Sequence, residues 1–520
     1  MKVISLEAAM SMCPFLNPST LALLLSIYCG SWNHLSVGIS CEDKYRIPSS
    51  HVTPLLHQFH DLDCSYEPQL EDKECWGYET QKCPHLRNPI YSNCENPKDF
   101  FKQADFGYVD GFRKSIKRIC SSGHSRLECS DKLTFCRGKN IFIDFKTIPQ
   151  KRNQVLRYDI NVLKPGEIGG QCKLDSSLLK SQLQLMSSLQ SWAPELRNFV
   201  SVKELECDEI IETPTMIIKL DATVNIYHHF CDFFNIYASL HVNASDRNPN
   251  MYSDDVRVLI WENQPYLSSL GPVWQAFTKY PLWNLNTFGG KKVCFKNAIF
   301  PLLPRMVYGL FYNTPITDGC RGSSLFKAFS EFIPKRLNLP WAAEPDGEKI
   351  RVTILSRRTK HRRILNVDAL MKILSLKGMY KVNLAEFSPK TDYIYQLDII
   401  MNTDILVGIH GAGLSHMLFL PEWAVVLELS DCDDPSCYFD LTRLRGLKHI
   451  GPLKSTEKED QGHHPTMKGS HAKFTNYSFD PDEFLSFVEE GTIYIKNHTA
   501  FRKLNKSYNE DIVTITRNEL

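Results

Sequence analysis

The chain has almost no excess of charge of either sign: 60 Lys+Arg stand against 59 Asp+Glu, a formal net charge of +1 in 520 residues. That balance supplies no bulk attraction for a polyanion, so a nucleic-acid partner is not expected. Long apolar runs are missing beyond residue 30, and a stable membrane span, which takes roughly 17–25 apolar residues, is not expected there. No Cys-x-x-Cys pair occurs, which argues against zinc as the reason for the 17 cysteines. No Gly-x-Ser-x-Gly elbow occurs, which argues against a serine hydrolase. Internal repeats and low-complexity tracts are absent, so neither a solenoid nor a disordered scaffold is indicated. What is left, at 43% hydrophobic and 23% charged residues, is an ordinary globular chain with length for two or three domains.

The N-terminus carries Lys2, an apolar run from Leu21 to Cys29, then Gly30 and Ser31. Residues 1–30 read as a secretory signal peptide, with a short N-terminal anchor as the alternative. Its removal leaves 15 cysteines, dense from Cys41 to Cys172 and sparse afterwards, most of them expected in disulfides with at least one thiol left over. Sequons at Asn243, Asn476, Asn497 and Asn505 could accept N-glycans in the secretory pathway. The chain ends Arg517-Asn518-Glu519-Leu520, which resembles an endoplasmic-reticulum retrieval signal with Asn in place of the acidic residue. Residence in the lumen of the endoplasmic reticulum, with a possible retrieval receptor as partner, is the expectation.

Cys41 to about Cys136 is rich in Cys, Pro, Tyr and polar residues, and reads as a disulfide-stapled, loop-rich N-terminal layer. Short apolar runs then recur at Ile141–Ile143, Met216–Ile218, Val256–Ile260, Val352–Leu355, Ile405–Val407 and Val425–Leu427. Helix-like stretches, such as Leu174–Leu189 and Asn366–Leu376, lie between them, and the alternation predicts an α/β fold with buried parallel strands. Pro301, Pro304, Pro315, Pro340 and Asp346-Gly347 place a domain boundary between residues 300 and 350. Residues 454–470 read as an exposed loop, and 481–489 as a late helix.

Three patterns could carry chemistry. Asp404 to His416 is an apolar strand that passes through Gly408, His410, Gly411 and Gly413 into a helix starting near Leu414. Glycines let the backbone approach a phosphate, and a helix start offers N–H groups to it; a turn needed only for close packing is the alternative. Val352–Leu355 is followed by Arg357, Arg358, Arg362 and Arg363. Ligands of open α/β sheets lie beyond the carboxyl ends of strands, and guanidinium suits phosphate, so two such strand ends together indicate a nucleoside diphosphate site. Glu428 ends a third strand and could accept from ribose hydroxyls, while Asp431-Cys432-Asp433 is set aside as a metal motif because Cys432 and Cys437 would close a small loop. Separately, Lys219 to Asn235 sets His228, His229 and Asp232 on one helix face among aromatics, where a desolvated group could act as a general base or simply be structural.

Several strings together resemble the EGF domain-specific O-linked N-acetylglucosamine transferases within glycosyltransferase family 61. They are Cys136 to Asn140, Gly166 to Asp175, Lys219 to Asn235, Leu302 to Met306, Tyr308 to Pro315 and His410 to Leu414, within a likeness spanning roughly Cys120 to Phe479. The resemblance implies a B-type glycosyltransferase with two Rossmann-like lobes and a disulfide-rich N-terminal layer. The acceptor-side lobe would lie in 31–300, the donor lobe in 301–480, and the C-terminal helix and tail in 481–520. It further implies UDP-N-acetylglucosamine as donor, no prosthetic group, no essential divalent metal, and an inverting transfer to Ser or Thr of folded EGF repeats in secreted and membrane proteins such as Notch. Asp232 would be the base with His229 in reserve, Arg357, Arg362, Gly408, His410, Gly411, Gly413 and Leu414 would hold the donor diphosphate, and Glu428 the ribose. Where relatives carry an acidic Asp-Tyr-Asp string, this chain has Lys279-Tyr280-Pro281 after Phe277-Thr278. Two rivals remain: a same-fold transferase acting on O-mannosylated protein, and a non-catalytic lumenal module that binds EGF repeats.

Overall fold

The computed structural model describes residues 94–505, apart from 152–153, 245–250, 312–313, 316, 341–344, 346–348, 358, 430–435 and 461–473, together with residues 40, 41, 44, 46–48, 51 and 65. The proposed signal peptide, Arg358, Asp431-Cys432-Asp433 and the Arg517–Leu520 tail lie outside the described residues.

The fold is mixed α/β, built on two main sheets. The first contains β1 (Lys117–Gly123), β2 (Arg126–Cys129), β3 (Cys136–Asp144), β4 (Ile168–Gly170), β5 (Cys172–Leu174), β6 (Phe199–Ser201), β7 (Glu209–Ile211), β8 (Thr215–Ile218), β9 (Arg257–Ile260), β10 (Trp283–Asn284) and β11 (Lys292–Phe300). Its main order is β10-β9-β8-β11-β3-β2-β1-β5, parallel from β10 to β11 and antiparallel from β11 to β5. Disulfides Cys120–Cys172 and Cys129–Cys136 staple the antiparallel end, Cys207–Cys294 ties the approach to β7 onto β11, and Cys94–Cys320 joins the start of the described chain to the segment before the Ser324–Arg336 helix. Cys231 is a buried free thiol.

The second sheet contains β12 (Ile350–Ser356), β13 (Tyr380–Glu386), β14 (Ile405–Ile409), β15 (Val425–Leu429) and β16 (Lys448–Leu453), all parallel in the order β13-β12-β14-β15-β16. Its central strands are continuous apolar runs because helices cover both faces. Ile405, Val407, Val425 and Leu427 pack with Leu370, Leu374, Phe484 and Val488 from the Val367–Ser375 and Pro481–Asn497 helices. The alternating residues Leu406 and Val426 face the other way, into a core shared with Tyr393, Leu414, Tyr438, and Phe230 and Phe329 of the first half. The connections leaving β12 and β14 therefore go to opposite faces, which opens a crevice between the carboxyl ends of these two strands.

Local readings fared unequally. Asn366 directly precedes the Val367–Ser375 helix as expected, and the late helix runs from Pro481 to Asn497 with the Asp480 side chain accepting from Asp482 N and Glu483 N. The predicted Leu174–Leu189 helix is corrected to a single stretch, Ser176–Gln182, because the backbone leaves helical geometry at Leu183. The supposedly loop-rich layer contains helices Pro97–Ala104 and Phe106–Ser115, as well as β1 and β2. In the 454–470 loop, Glu457–Asp460 forms a strand against Thr475–Ser478. The Ser324–Arg336 helix packs in the first core, so the second sheet begins only at Ile350. No helix among the described residues is long and apolar enough to cross a membrane.

One buried ion pair fixes the second sheet. Asp404, before β14, takes Arg351 Nη2 at 2.6 Å, Arg351 Nε at 3.0 Å, the Arg351 backbone N–H at 2.9 Å and Trp423 Nε1 at 2.8 Å. The Asp404 carboxylate is 0% exposed. Asp404→Asn leaves the Arg351 charge buried without its partner, and a loss of about 3–5 kcal/mol is expected in urea unfolding; an unchanged midpoint would contradict this role.

Candidate active site

Two groups of polar side chains lie at the carboxyl ends of parallel strands, one in each half. In the second half, β12 runs out into Arg357 and β14 into His410-Gly411, at the crevice defined by the strand order. A Cβ added to Gly411 would lie 2.6 Å from both Arg357 Nη2 and Arg362 Nη1, so only glycine lets the two guanidiniums close over this turn. Gly411 has φ +153°, and Arg362 also donates to the His410 carbonyl at 3.3 Å. Burial and the neighbouring Arg362 charge push Arg357 down to about 10. Two like charges held together in a half-buried turn are stabilised by an anion between them.

The other predicted donor residues divide by role. Gly408 lets the turn pack, since a Cβ there would meet Leu414 at 3.0 Å, whereas a Cβ at Gly413 would make only an ordinary contact with Leu355 at 3.7 Å. Leu414 itself is buried in the core. His410 Nδ1 donates to Glu428 Oε1, and His449 Nε2 lies 2.8 Å from Glu428 Oε2. Burial alone would raise the Glu428 carboxyl, but hydrogen bonds and charge from both histidines outweigh it and hold it low. Glu428 is thus a buried group that fixes the His410 ring, with both oxygens engaged, rather than an open acceptor for a ribose hydroxyl. Tyr438 packs edge-on against His410, with ring centroids 4.7 Å apart.

In the first half, the Ile226–Asn243 helix follows β8, with Asn225 accepting from Tyr227 N. His229 and Asp232 do share a face: His229 Nδ1 donates to Asp232 Oδ2 at 2.9 Å. Both side chains are 0% exposed, and their polar atoms are spent internally. Tyr266 OH lies 2.8 Å from His229 Nε2, and Asp221 N donates to Asp232 Oδ1 at 3.1 Å. Burial raises the Asp232 carboxyl well above its usual range and pushes His229 down to about 3. Asp232 and His229, expected as base and reserve, therefore present no exposed edge to an acceptor hydroxyl.

The accessible pair is next to them. Asp221 Oδ2 accepts from His228 Nδ1 at 2.9 Å and from Arg305 Nε at 2.7 Å. The His228 side chain is 22% exposed and that of Arg305 36%. Burial would raise the Asp221 carboxyl, but the hydrogen bonds and charges of His228 and Arg305 prevail and hold it low. Asp221 follows β8 and Arg305 follows β11, its parallel neighbour. Sequence reasoning passed over both, although each lies in a string that carries the family resemblance; the signal was present without any indication of which carboxylate faces outward.

The two groups meet through aromatic rings. Tyr227, in the first turn of the helix, packs edge-on against Phe311 at 5.1 Å and Tyr438 at 5.8 Å. By contrast, the 277–281 string starts with the buried Phe277 and Thr278 and then reaches the surface, where Lys279 and Tyr280 bind Asp255 and Arg257 stacks over Tyr280 at 3.7 Å. Among the described residues, no group of three or more His, Cys, Asp or Glu could hold a metal ion. Of the sequons, Asn497 is exposed, and Asn243 and Asn505 are half-buried. Asn476 is 0% exposed and bonded to Arg363 N and Lys360 O, so it cannot carry a glycan in this fold.

A family profile described as Glycosyltransferase 61 matches residues 211–427, a span that contains Asp221, His228 and Arg305 as well as Arg357, Arg362, His410 and Gly411. The chain is 44% identical over 486 residues to the EGF domain-specific O-linked N-acetylglucosamine transferase of Drosophila melanogaster, covering 88% of this chain and 91% of that protein. Proteins of the same name from Mus musculus and Gallus gallus are 42% and 43% identical, covering 87% and 88% of this chain and 90% and 91% of theirs.

Proposed function

This chain belongs to the EGF domain-specific O-linked N-acetylglucosamine transferases of glycosyltransferase family 61, and we propose that it moves N-acetylglucosamine from UDP-N-acetylglucosamine to a Ser or Thr hydroxyl of a folded EGF-like domain, with inversion at the sugar C1. As a glycosyltransferase it uses a nucleotide sugar. On this reading the two sheets are the two Rossmann-like lobes of a B-type enzyme, with the donor on the second and the acceptor against the first.

The observation that carries the proposal is the Gly411 turn, closed by Arg357 and Arg362 at the crevice between β12 and β14. As the glycosidic bond to the diphosphate breaks, negative charge gathers on the leaving phosphate. Fixed guanidiniums stabilise that state more than the ground state, which lowers the barrier without a metal being required. His410, oriented by Glu428, lies at the same turn.

The four disulfides among the described residues suit an oxidising compartment, and residence in the endoplasmic-reticulum lumen through a receptor that reads Arg517–Leu520 is part of the proposal. The test is mass spectrometry of a folded EGF repeat incubated with purified protein and UDP-N-acetylglucosamine, with and without EDTA. One added N-acetylhexosamine in both tubes is expected. Gain lost with EDTA would overturn the metal-independent site, and no gain in either would overturn the acceptor assignment.

A further inference from the structure

Direct displacement needs a group that removes the acceptor proton, and neither arginine of the donor turn can do so, because guanidinium stays protonated. We propose that His228 is this general base, oriented by Asp221, an assignment that rests on the transferase reading above.

Asp221 is held through its backbone and through Oδ2 of its carboxylate. Its N–H donates to the buried Asp232 carboxylate at 3.1 Å, and its carbonyl accepts from Tyr158 OH and, at 3.4 Å, from Arg157. Arg157 is itself fixed by Glu262 at 2.6 Å. Arg305 Nε donates to Asp221 Oδ2 and fixes the carboxylate, and the same oxygen sets a direction in which it orients an imidazole. His228 takes that direction through Nδ1 at 2.9 Å. A carboxylate on Nδ1 fixes the tautomer with the proton there, so the lone pair lies on Nε2, the atom that a base uses. Asp232 and His229 then have a definite purpose as positioning residues, since they anchor the loop that carries Asp221.

Placement supports the same role. His228 packs edge-on against Tyr227 at 5.5 Å, Tyr227 contacts Tyr438 at 5.8 Å, and Tyr438 contacts His410 at 4.7 Å. A continuous chain of ring contacts thus joins the base to the diphosphate turn, so that acceptor and leaving group can be handled from one place. Val224, on the same loop, and Leu267, beside the Ser268 hydroxyl that donates to Thr223 O at 2.6 Å, are largely exposed.

In the step, the acceptor oxygen forms its bond to the sugar C1 while its proton passes to His228 Nε2. The bond from C1 to the β-phosphate oxygen breaks, its electron pair leaves with UDP, and Arg357 and Arg362 hold the added charge. The imidazolium formed is stabilised by Asp221 and returns its proton to water.

The test uses the full chain and measures UDP affinity together with kcat and KM for transfer to a folded EGF repeat. His228→Gln is expected to lower kcat about 100- to 10,000-fold, with UDP affinity unchanged within about twofold and the acceptor KM little altered. Wild-type transfer is measured first: its absence overturns the functional reading and this one with it. Wild-type transfer with normal kcat in His228→Gln overturns the base alone. Should His228→Gln lose UDP binding through misfolding, Asp221→Asn decides: a fall in kcat of at least about tenfold with UDP affinity intact supports the assignment, and wild-type kcat overturns it.

Discussion

Gly411→Ala is expected to reduce turnover by about 100- to 1,000-fold while the chain stays folded. The new methyl would stand 2.6 Å from Arg357 Nη2 and Arg362 Nη1, closer than any stable contact, so both guanidiniums must withdraw from the turn. The atoms it meets are the ends of long side chains, not backbone, and for that reason the collision opens the phosphate cradle without breaking the sheet. Loss of one such preorganised electrostatic contact costs roughly 10²–10³ in turnover. UDP affinity should fall in parallel, because the ground-state diphosphate uses the same donors. The measurements are kcat, UDP titration and thermal melting on the same preparation. Wild-type UDP affinity and turnover in the alanine variant would remove the Gly411 turn from the donor site.

The second large effect is acid destabilisation through buried imidazoles. Burial, joined by the Arg336 charge, pushes His51 down to about 3, and burial pushes His416 down to about 4. His51 lies 2.8 Å from Tyr237 OH, while His416 is held between Gly413 O at 2.8 Å and Gln396 at 2.9 Å. The unfolded chain binds protons at these positions below pH 6.5, whereas the folded chain does not, so stability is full above pH 6.5 and falls as the pH drops toward the folded values. At pH 5 each histidine costs about 2 kcal/mol, or about 4 kcal/mol for the pair. Urea unfolding at pH 7.5 and pH 5 should show this loss shrinking by about that amount in the double variant His51→Gln/His416→Gln. Equal losses in wild type and variant would assign the acid sensitivity elsewhere.

The Gly411 turn beside Arg357 and Arg362 was legible as a turn because everything that makes it is local. An apolar strand, three closely spaced glycines and an arginine run after another strand are all short-range patterns, and the parallel α/β sheet brings their ends together. The general base was not legible for the opposite reason. Helical spacing correctly joins His229 to Asp232, but it does not say which side of the helix faces the core, and here the flanking aromatics bury that pair. The carboxylate that holds the exposed groups is Asp221, whose partners come from the Ile226–Asn243 helix, from Arg305 after β11, and from Arg157 and Tyr158, more than sixty positions away in the chain. Glu428 shows the same limit: its place at a strand end is a local fact, while its capture by His449 depends on how β16 lies against β15. The Leu174–Leu189 reading failed because apolar spacing persists past Gln182 although the backbone turns away there. At Asn476, a three-residue pattern carried no information about the strand pairing that encloses it.

The inner face of the second sheet has no core of its own. Leu406, Val426, Tyr393, Leu414 and Tyr438 share one apolar interior with Phe230, Phe234 and Phe329 of the first half. The two halves are consequently not interchangeable modules. Exchanging the second half between relatives would join two surfaces that were never matched to each other, and the mismatch would fall beside the Tyr227–Tyr438 contact. Substitutions in either half are therefore felt in the other, through a single interior.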